Sequence, residues 1–326
     1  MTTILSIQSS VAYGHVGNSA ATFLLMRMGV EVYPVLTVHY SNTTAYGTWR
    51  GPVLSVDDIR DVIHGVDERG ALTDVDAVLT GYQGSAAIGE AVIDTVALVR
   101  ERNPNALYCC DPVMGDVGRG FFVAAGIPEM YRDRIVPQAD IITPNQFELE
   151  FLTGHPSSTL DELLAAADAL RAKGPGIVVV TSAVTTDLNP DEVSMLAVTA
   201  HGAWLVSTPK LAPTFTGSGD ITSAAFLASY LELRSVPEAL AKTAAVVYAV
   251  LEITAESGHR ELRLVGGEVP LQYLDLDPAV GRGKSSRQPV QELPQTGVYV
   301  IRHVSLLETS KRYPSRPAAC SLHSPS

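Results

Sequence analysis

Residues 3–38, TILSIQSSVAYGHVGNSAATFLLMRMGVEVYPVLTV, contain one full turn of the pattern that decides the fold. Thr3-Ile4-Leu5-Ser6-Ile7 is a short β-branched run, residues 18–28 carry apolar side chains at helical period, and residues 31–38 return to β-branched character. Gly29 ends the helix as a C-terminal glycine does. The same alternation continues outward. Further strands are predicted at 77–80, 106–110, 140–143, 177–181, 194–199 and 203–208. Further helices are predicted at 56–69, 86–102, 147–152, 160–172, 221–233 and 237–256, the first of them opened by Asp57 and Asp58. A βαβα rhythm of this kind makes an α/β protein with a mostly parallel sheet covered by helices on both faces. In such sheets ligands collect at the carboxyl ends of the strands, so the residues just after each strand are the candidates for chemistry.

Composition narrows the function. A chain of 326 residues with 46% hydrophobic and 18% charged side chains can bury a sizeable core in one large domain or two modest ones. Its net charge of -12 argues against non-specific nucleic-acid binding, which needs a basic surface. Anionic phosphates remain accessible to backbone amides and helix N-termini, which hardly show in net charge. Cys109, Cys110 and Cys320 form neither a disulfide framework nor a metal spacing, and the adjacent pair reads as buried strand. None of the eight His has metal-ligand spacing; His15, in a glycine loop, reads as a solvated turn residue, and His39 and His64 as structural. The N-terminus lacks a signal peptide, and no run approaches the ~18 apolar residues of a membrane span, so no membrane partner and a cytoplasmic location are expected.

The last segment differs from the rest. Residues 279–326 hold seven Lys or Arg against two Glu, with five Pro and eight Ser. They read as a disordered basic tail after a domain at 1–278, with one apolar patch at 298–304 able to form a strand. A basic arm that binds nucleic acid is the sharper alternative.

The strongest local signal is Thr216-Gly217-Ser218-Gly219-Asp220 before a helix of small residues. Two glycines permit a tight turn with exposed N–H groups, and the helix adds its positive end. Asp220 there could be a helix N-cap, or a base that takes a hydroxyl proton while the turn holds a phosphoryl group. The turn is not a Walker A loop, and no dinucleotide-binding glycine pattern comes after the first strand. Two further segments run out of strands at the same edge of the sheet: Cys110-Asp111-Pro112-Val113-Met114-Gly115-Asp116 and Asp140-Ile141-Ile142-Thr143-Pro144-Asn145-Gln146-Phe147-Glu148. Asp111, Asp116 and Glu148 could hold a hydrated Mg²⁺ bridging ATP phosphates. The plainer readings are a turn Asp at 116 and helix-initiating residues at 145–148.

Taken in order, these segments resemble the pyridoxal kinase family of the ribokinase-like superfamily. Ile4-Leu5-Ser6-Ile7-Gln8-Ser9, the run from Gly14 to Ala21, the run from Val38 to Tyr46, and Gly81-Tyr82-Gln83-Gly84-Ser85 carry the likeness. The stretches 110–115, 143–148 and 217–220 complete it, and it covers about residues 3–265. The resemblance implies a three-layer sandwich with a mostly parallel central sheet and an ATP-dependent kinase acting on the 5'-hydroxymethyl group of pyridoxal. Pyridoxine or pyridoxamine are further candidate substrates. It implies Mg²⁺ with ATP, K⁺ as a monovalent cation, and a homodimer. Ser9 would bond the pyridine ring, and Val16, Thr44, Tyr82 and Phe122 would wall it. Asp111, Thr143, Asn145 and Glu148 would serve metal and phosphates. Thr181, Ser182, Thr208, Pro209, Lys210 and Leu211 would lie on the nucleotide side. Some bacterial relatives carry Lys where Thr181 stands. Asp220 matches the catalytic base, and Gly217, Ser218 and Gly219 the anion hole. A hydroxymethylpyrimidine kinase of the same fold and a non-catalytic vitamin-binding protein are the rival expectations.

Overall fold

The computed structural model describes residues 1–212, 214–265, 291–292 and 298–301. The chain opens with β1 (Thr3–Val11), α1 (Asn18–Arg27) and β2 (Glu31–Tyr40), the unit expected from residues 3–38. Next come α2 (Val56–Glu68), β3 (Ala77–Thr80), α3 (Ala86–Arg102) and β4 (Leu107–Cys110). A small hairpin of β5 (Gly115–Asp116) and β6 (Gly120–Phe121), then α4 (Ile127–Met130), lead to β7 (Ile141–Ile142). The remainder is α5 (Gln146–Thr153), α6 (Leu160–Arg171), β8 (Ile177–Ala183), β9 (Glu192–Thr199), β10 (Gly202–Pro209), α7 (Ser218–Leu233), α8 (Val236–Ser257), β11 (Gln291–Glu292) and β12 (Val298–Ile301).

The main sheet runs β11-β12-β10-β9-β8-β7-β4-β3-β1-β2. From β2 to β8 every pairing is parallel; β8 with β9 and β9 with β10 are antiparallel. The period of two in each strand sends alternate side chains to opposite faces. Leu5, Ile7, Val78 and Cys110 pack in one core with Ile59, Val92, Leu149 and Leu163 of α2, α3, α5 and α6. Ile4, Leu79 and Cys109 face the other way, onto Leu25, Phe226 and Leu240 of α1, α7 and α8. Each fully buried aliphatic or aromatic side chain contributes roughly 1.5–3 kcal/mol, so two such cores hold the three layers together. Cys109 and Cys110 are both buried, as the apolar run implies, and burial pushes their thiols up and out of reactive range.

Within the segment read as a tail, β12 lies parallel beside β10, with Ala203 opposite Val298 and Val206 opposite Ile301. The strand expected in 298–304 is thus present over Val298–Ile301. The boundary at 278/279 falls outside the described residues, as does most of the chain beyond it. Among the described residues no helix is long and apolar enough to cross a membrane.

Candidate active site

The helix expected from residue 221 begins three residues earlier, and that shift changes the standing of Asp220. Gly217 is the N-cap of α7, with no side-chain capping bond, and Asp220 sits in the first helical turn. The N-cap reading of Asp220 is therefore corrected: its carboxylate is free of capping duty. Gly217 takes φ 93°, and a Cβ there would stand 2.1 Å from the carbonyl oxygen of His15, so the position needs glycine on both counts. This close approach sets the glycine loop after β1 against the turn before α7. Burial pushes the Asp220 carboxyl up to about 6, and a bond from the Gly17 backbone N–H opposes that effect. The space around Gly219 is open, so its backbone can be approached closely.

Asp111 comes directly after β4 and Thr143 directly after β7, and the adjacency of those strands brings both to one sheet edge. Asp111 is buried, with Oδ2 lacking any hydrogen-bond partner; the Thr143 hydroxyl is buried and unpartnered as well. Burial, then Glu148 and Asp220, hold the Asp111 carboxyl well above the usual range, with a Ser223 bond acting the other way. Glu148 is buried too. Its Oε1 accepts from Met114 N at 3.0 Å and its Oε2 from Asn145 N at 2.9 Å. Burial nonetheless raises it to about 8. Asn145 Oδ1 accepts from Glu148 N at 2.9 Å, so the two form a reciprocal capping box at the start of α5. The helix-initiating reading of residues 145–148 is therefore realised. Asn145 also donates to Gly115 O at 2.8 Å, which ties the β5–β6 hairpin to α5.

Asp116 does not join this group as a ligand would. It is exposed on the hairpin, its Oδ1 accepting from Val117 N at 2.8 Å, as a turn residue does. Among the described residues no three His, Cys, Asp or Glu side chains come together as a metal cage.

The residues expected to hold a planar ring fall into parts. Two residues of β2 stand opposite Ser9 at an irregularity between Gln8 and Ser10, which breaks the ladder where Ser9 sits. A methyl group on Gly17 would fall 2.3 Å from Ser9 Oγ, so Ser9 lies directly against the glycine loop. Val16 packs with Val11, Val38 and Tyr40, and Tyr82 lies on the same small cluster. Burial first, then Tyr40, pushes the Tyr82 phenol up to about 12, so it stays protonated and can donate. Thr44 opens a 3₁₀ turn capped by Thr43. Phe122 stands past β6 with the Arg119 guanidinium 4.9 Å from its ring centroid, and its N–H bonds Met114 O rather than the Val16–Tyr82 group.

On the other side, Thr181 N donates to Pro144 O at 3.0 Å, joining β8 to the Thr143–Asn145 stretch. Exposed Ser182 comes next, where the β8–β9 ladder shifts register. Thr208 and Pro209 end β10 beside Val193 and Glu192, Lys210 N bonds Asp191 O at 2.8 Å, and Leu211 beyond it is half-buried. No bond joins these four to the Asp111 or Asp220 groups among the described residues.

Three residues escaped the sequence reading or were read otherwise. Asn18 is buried, accepts from Ser6 Oγ at 2.7 Å and donates to Val35 O at 3.0 Å, clamping β1 to β2 below the glycine loop. His15 is half-buried rather than solvated; burial lowers its pKa although Glu261 pulls the other way. Glu261, beyond α8, touches both the glycine loop after β1 and the 3₁₀ turn after β2, and nothing local in its sequence marks it.

A family model described as phosphomethylpyrimidine kinase matches residues 60–264. The pyridoxal kinase PdxY of Leifsonia xyli subsp. xyli is 55% identical over 262 residues, covering 80% of this chain and 93% of the relative. That of Rubrobacter xylanophilus is 55% identical over 269 residues, covering 82% and 93%. The solved pyridoxal kinase of Leishmania donovani in complex with ADP and pyridoxamine aligns with TM-score 0.78 at 29% identity, covering 84% of this chain and 96% of that one.

Proposed function

The chain belongs to the pyridoxal kinase family, and we propose that it transfers the γ-phosphoryl group of ATP to the 5'-hydroxymethyl group of pyridoxal, with Asp220 as the base. The observation that carries the role of Asp220 is its setting. A carboxylate with no capping duty, its pKa about 6, stands at the N-terminal turn of α7 against the Gly17 N–H. At neutral pH such a group is ionised yet basic enough to accept a proton as the hydroxyl attacks. Gly217, Ser218 and Gly219 offer backbone N–H groups and the positive helix end to the equatorial phosphoryl oxygens. Phosphoryl transfer asks little covalent chemistry of a protein, so positioning and electrostatics of this type supply most of the catalysis.

Magnesium fits the site. Asp111 Oδ2 and Thr143 Oγ1 are buried, unpartnered oxygen donors, the hard type that Mg²⁺ takes, and a divalent cation would relieve the repulsion among Asp111, Glu148 and Asp220. Asp111 would be the direct ligand. Glu148, with both oxygens occupied by backbone N–H groups, would act through water or through its charge. When bound, the ion supplies charge neutralisation for the nucleotide phosphates. Asp116 is left outside this set.

Ser9, Val16, Thr44, Tyr82 and Phe122 form the proposed ring site, and Thr181, Ser182, Thr208, Pro209, Lys210 and Leu211 the proposed nucleotide side. Pyridoxine and pyridoxamine as further acceptors, K⁺ as an activator, a homodimer and a cytoplasmic location belong to the same reading. A second reading, hydroxymethylpyrimidine as the acceptor, is favoured by the description of the matching family model. One assay separates the two: ATP-dependent product formation with pyridoxal, pyridoxine, pyridoxamine and hydroxymethylpyrimidine, with and without chelator. Pyridoxal should have the highest kcat/KM. Preference for hydroxymethylpyrimidine would replace the first reading with the second.

A further inference from the structure

We propose that Glu261 is a positioning residue for the acceptor substrate, one carboxylate that locks the glycine loop after β1 to the 3₁₀ turn after β2. The proposal rests on the kinase reading above and adds a residue to it. Glu261 Oε1 accepts from the Tyr46 hydroxyl at 2.6 Å, and Oε2 accepts from the backbone N–H of His15 at 3.3 Å. Tyr46 closes the Thr44–Tyr46 turn, so it sets where Thr44 stands. His15 directly precedes Val16 and Gly17, which wall the ring site and face Asp220 respectively. The two contacts span 215 and 246 residues of sequence, so the carboxylate adds a long-range tie to the direct contacts of these loops, the Tyr13 N–H on Ser41 O and the Tyr13 ring beside Tyr46.

The neighbours reinforce the same lock. Arg260 places its guanidinium 3.7 Å from the Tyr46 ring centroid and donates to Ala45 O at 3.3 Å. Leu262 is buried and lies against Gly217, so the segment 260–262 touches the ring-side loops and the phosphoryl-side turn in succession. The Tyr46 phenol is pushed up to about 12, chiefly by its bond to Glu261, as expected for a phenol that donates to a carboxylate. Because the loops carry Val16 and Thr44, loosening them reduces the fraction of enzyme with a formed ring site, and apparent acceptor affinity falls by that fraction.

Steady-state kinetics on the full chain, with pyridoxal and ATP varied separately, tests the role. Glu261→Ala should raise KM for pyridoxal about tenfold, the scale of a lost charge-assisted bond, with KM for ATP changed by less than about twofold. Tyr46→Phe removes one contact and should give a smaller rise of the same kind. The double variant should be no worse than Glu261→Ala, since the contact that Tyr46→Phe removes is already lost with Glu261. Unchanged pyridoxal KM in Glu261→Ala overturns the proposal. So do parallel changes for both substrates accompanied by a lower melting temperature, which mark a merely structural tie. If Glu261→Ala does not fold, an unchanged pyridoxal KM in Tyr46→Phe overturns it. Wild-type protein in the same assay reads the kinase proposal itself, so its failure is separable from failure of the lock.

Discussion

Replacing Asp220 with Asn should do two opposite things, and together they separate a catalytic carboxylate from a structural one. The substitution keeps the shape, so the Gly17 N–H can still find an acceptor, but it removes the charge that burial disfavours. A rise from 3.8 to about 6 corresponds to about 3 kcal/mol of folded-state cost once the group is ionised. Partial solvent access trims this to about 2 kcal/mol. The sign is set by linkage. The folded state binds the proton more tightly than the unfolded chain, so wild-type stability falls as pH rises from about 4 through about 6. The Asp220→Asn variant has no such loss. It should therefore gain about 2 kcal/mol on wild type in going from pH 4 to pH 8, or roughly 3 °C in Tm at this size. Turnover should meanwhile fall by about 10²–10⁴. Thermal melts at both pH values and the coupled kinase assay provide the readings. A Tm difference that ignores pH, or a variant retaining more than about a tenth of wild-type turnover, refutes the reasoning.

The remaining expectations are quickly checked. The kcat/KM for pyridoxal should drop tenfold per pH unit below about 6, where Asp220 is protonated and cannot accept a proton; a flat profile down to pH 5 would contradict this. Gly217→Ala puts a methyl 2.1 Å from His15 O at φ 93° and should cost about 2–4 kcal/mol and at least about tenfold in kcat. A variant that melts and turns over like wild type would show that the two loops are not held as described. A chain ending at residue 278 should retain its kinase activity if the domain is 1–278. Loss of activity with loss of cooperative melting would move the boundary past β12.

Much of the site was readable because its signals are local. The capping box of Asn145 and Glu148 lies within four residues, and the turn character of Asp116 within two. The β-branched runs announced β1 to β4 and β8 to β10 because each is long enough to display its character. The β5–β6 hairpin and the short α4 carried no period to detect. Asp220 is ambiguous in sequence for a different reason: whether it caps the helix or stands inside its first turn depends on where the chain turns, and the N-cap is Gly217, whose backbone lies close against His15 O.

Read residue by residue, the chain already shows the layered α/β class, the strands at whose ends the candidate residues lie, and the family through its ordered motifs. Those features arise from side-chain periodicity and local turn chemistry, which act over a few residues. Tertiary structure alone decided that Asp111, Glu148 and Asp220 share one electrostatic environment, because β4 and β7 are neighbours and α7 packs beside them. It also decided that Glu261 holds Tyr46 and His15, an arrangement set by how the chain returns after α8 and not by any residue near it in sequence. Burial and long-range contact are properties of the packed molecule, and charges respond to them only once it has formed.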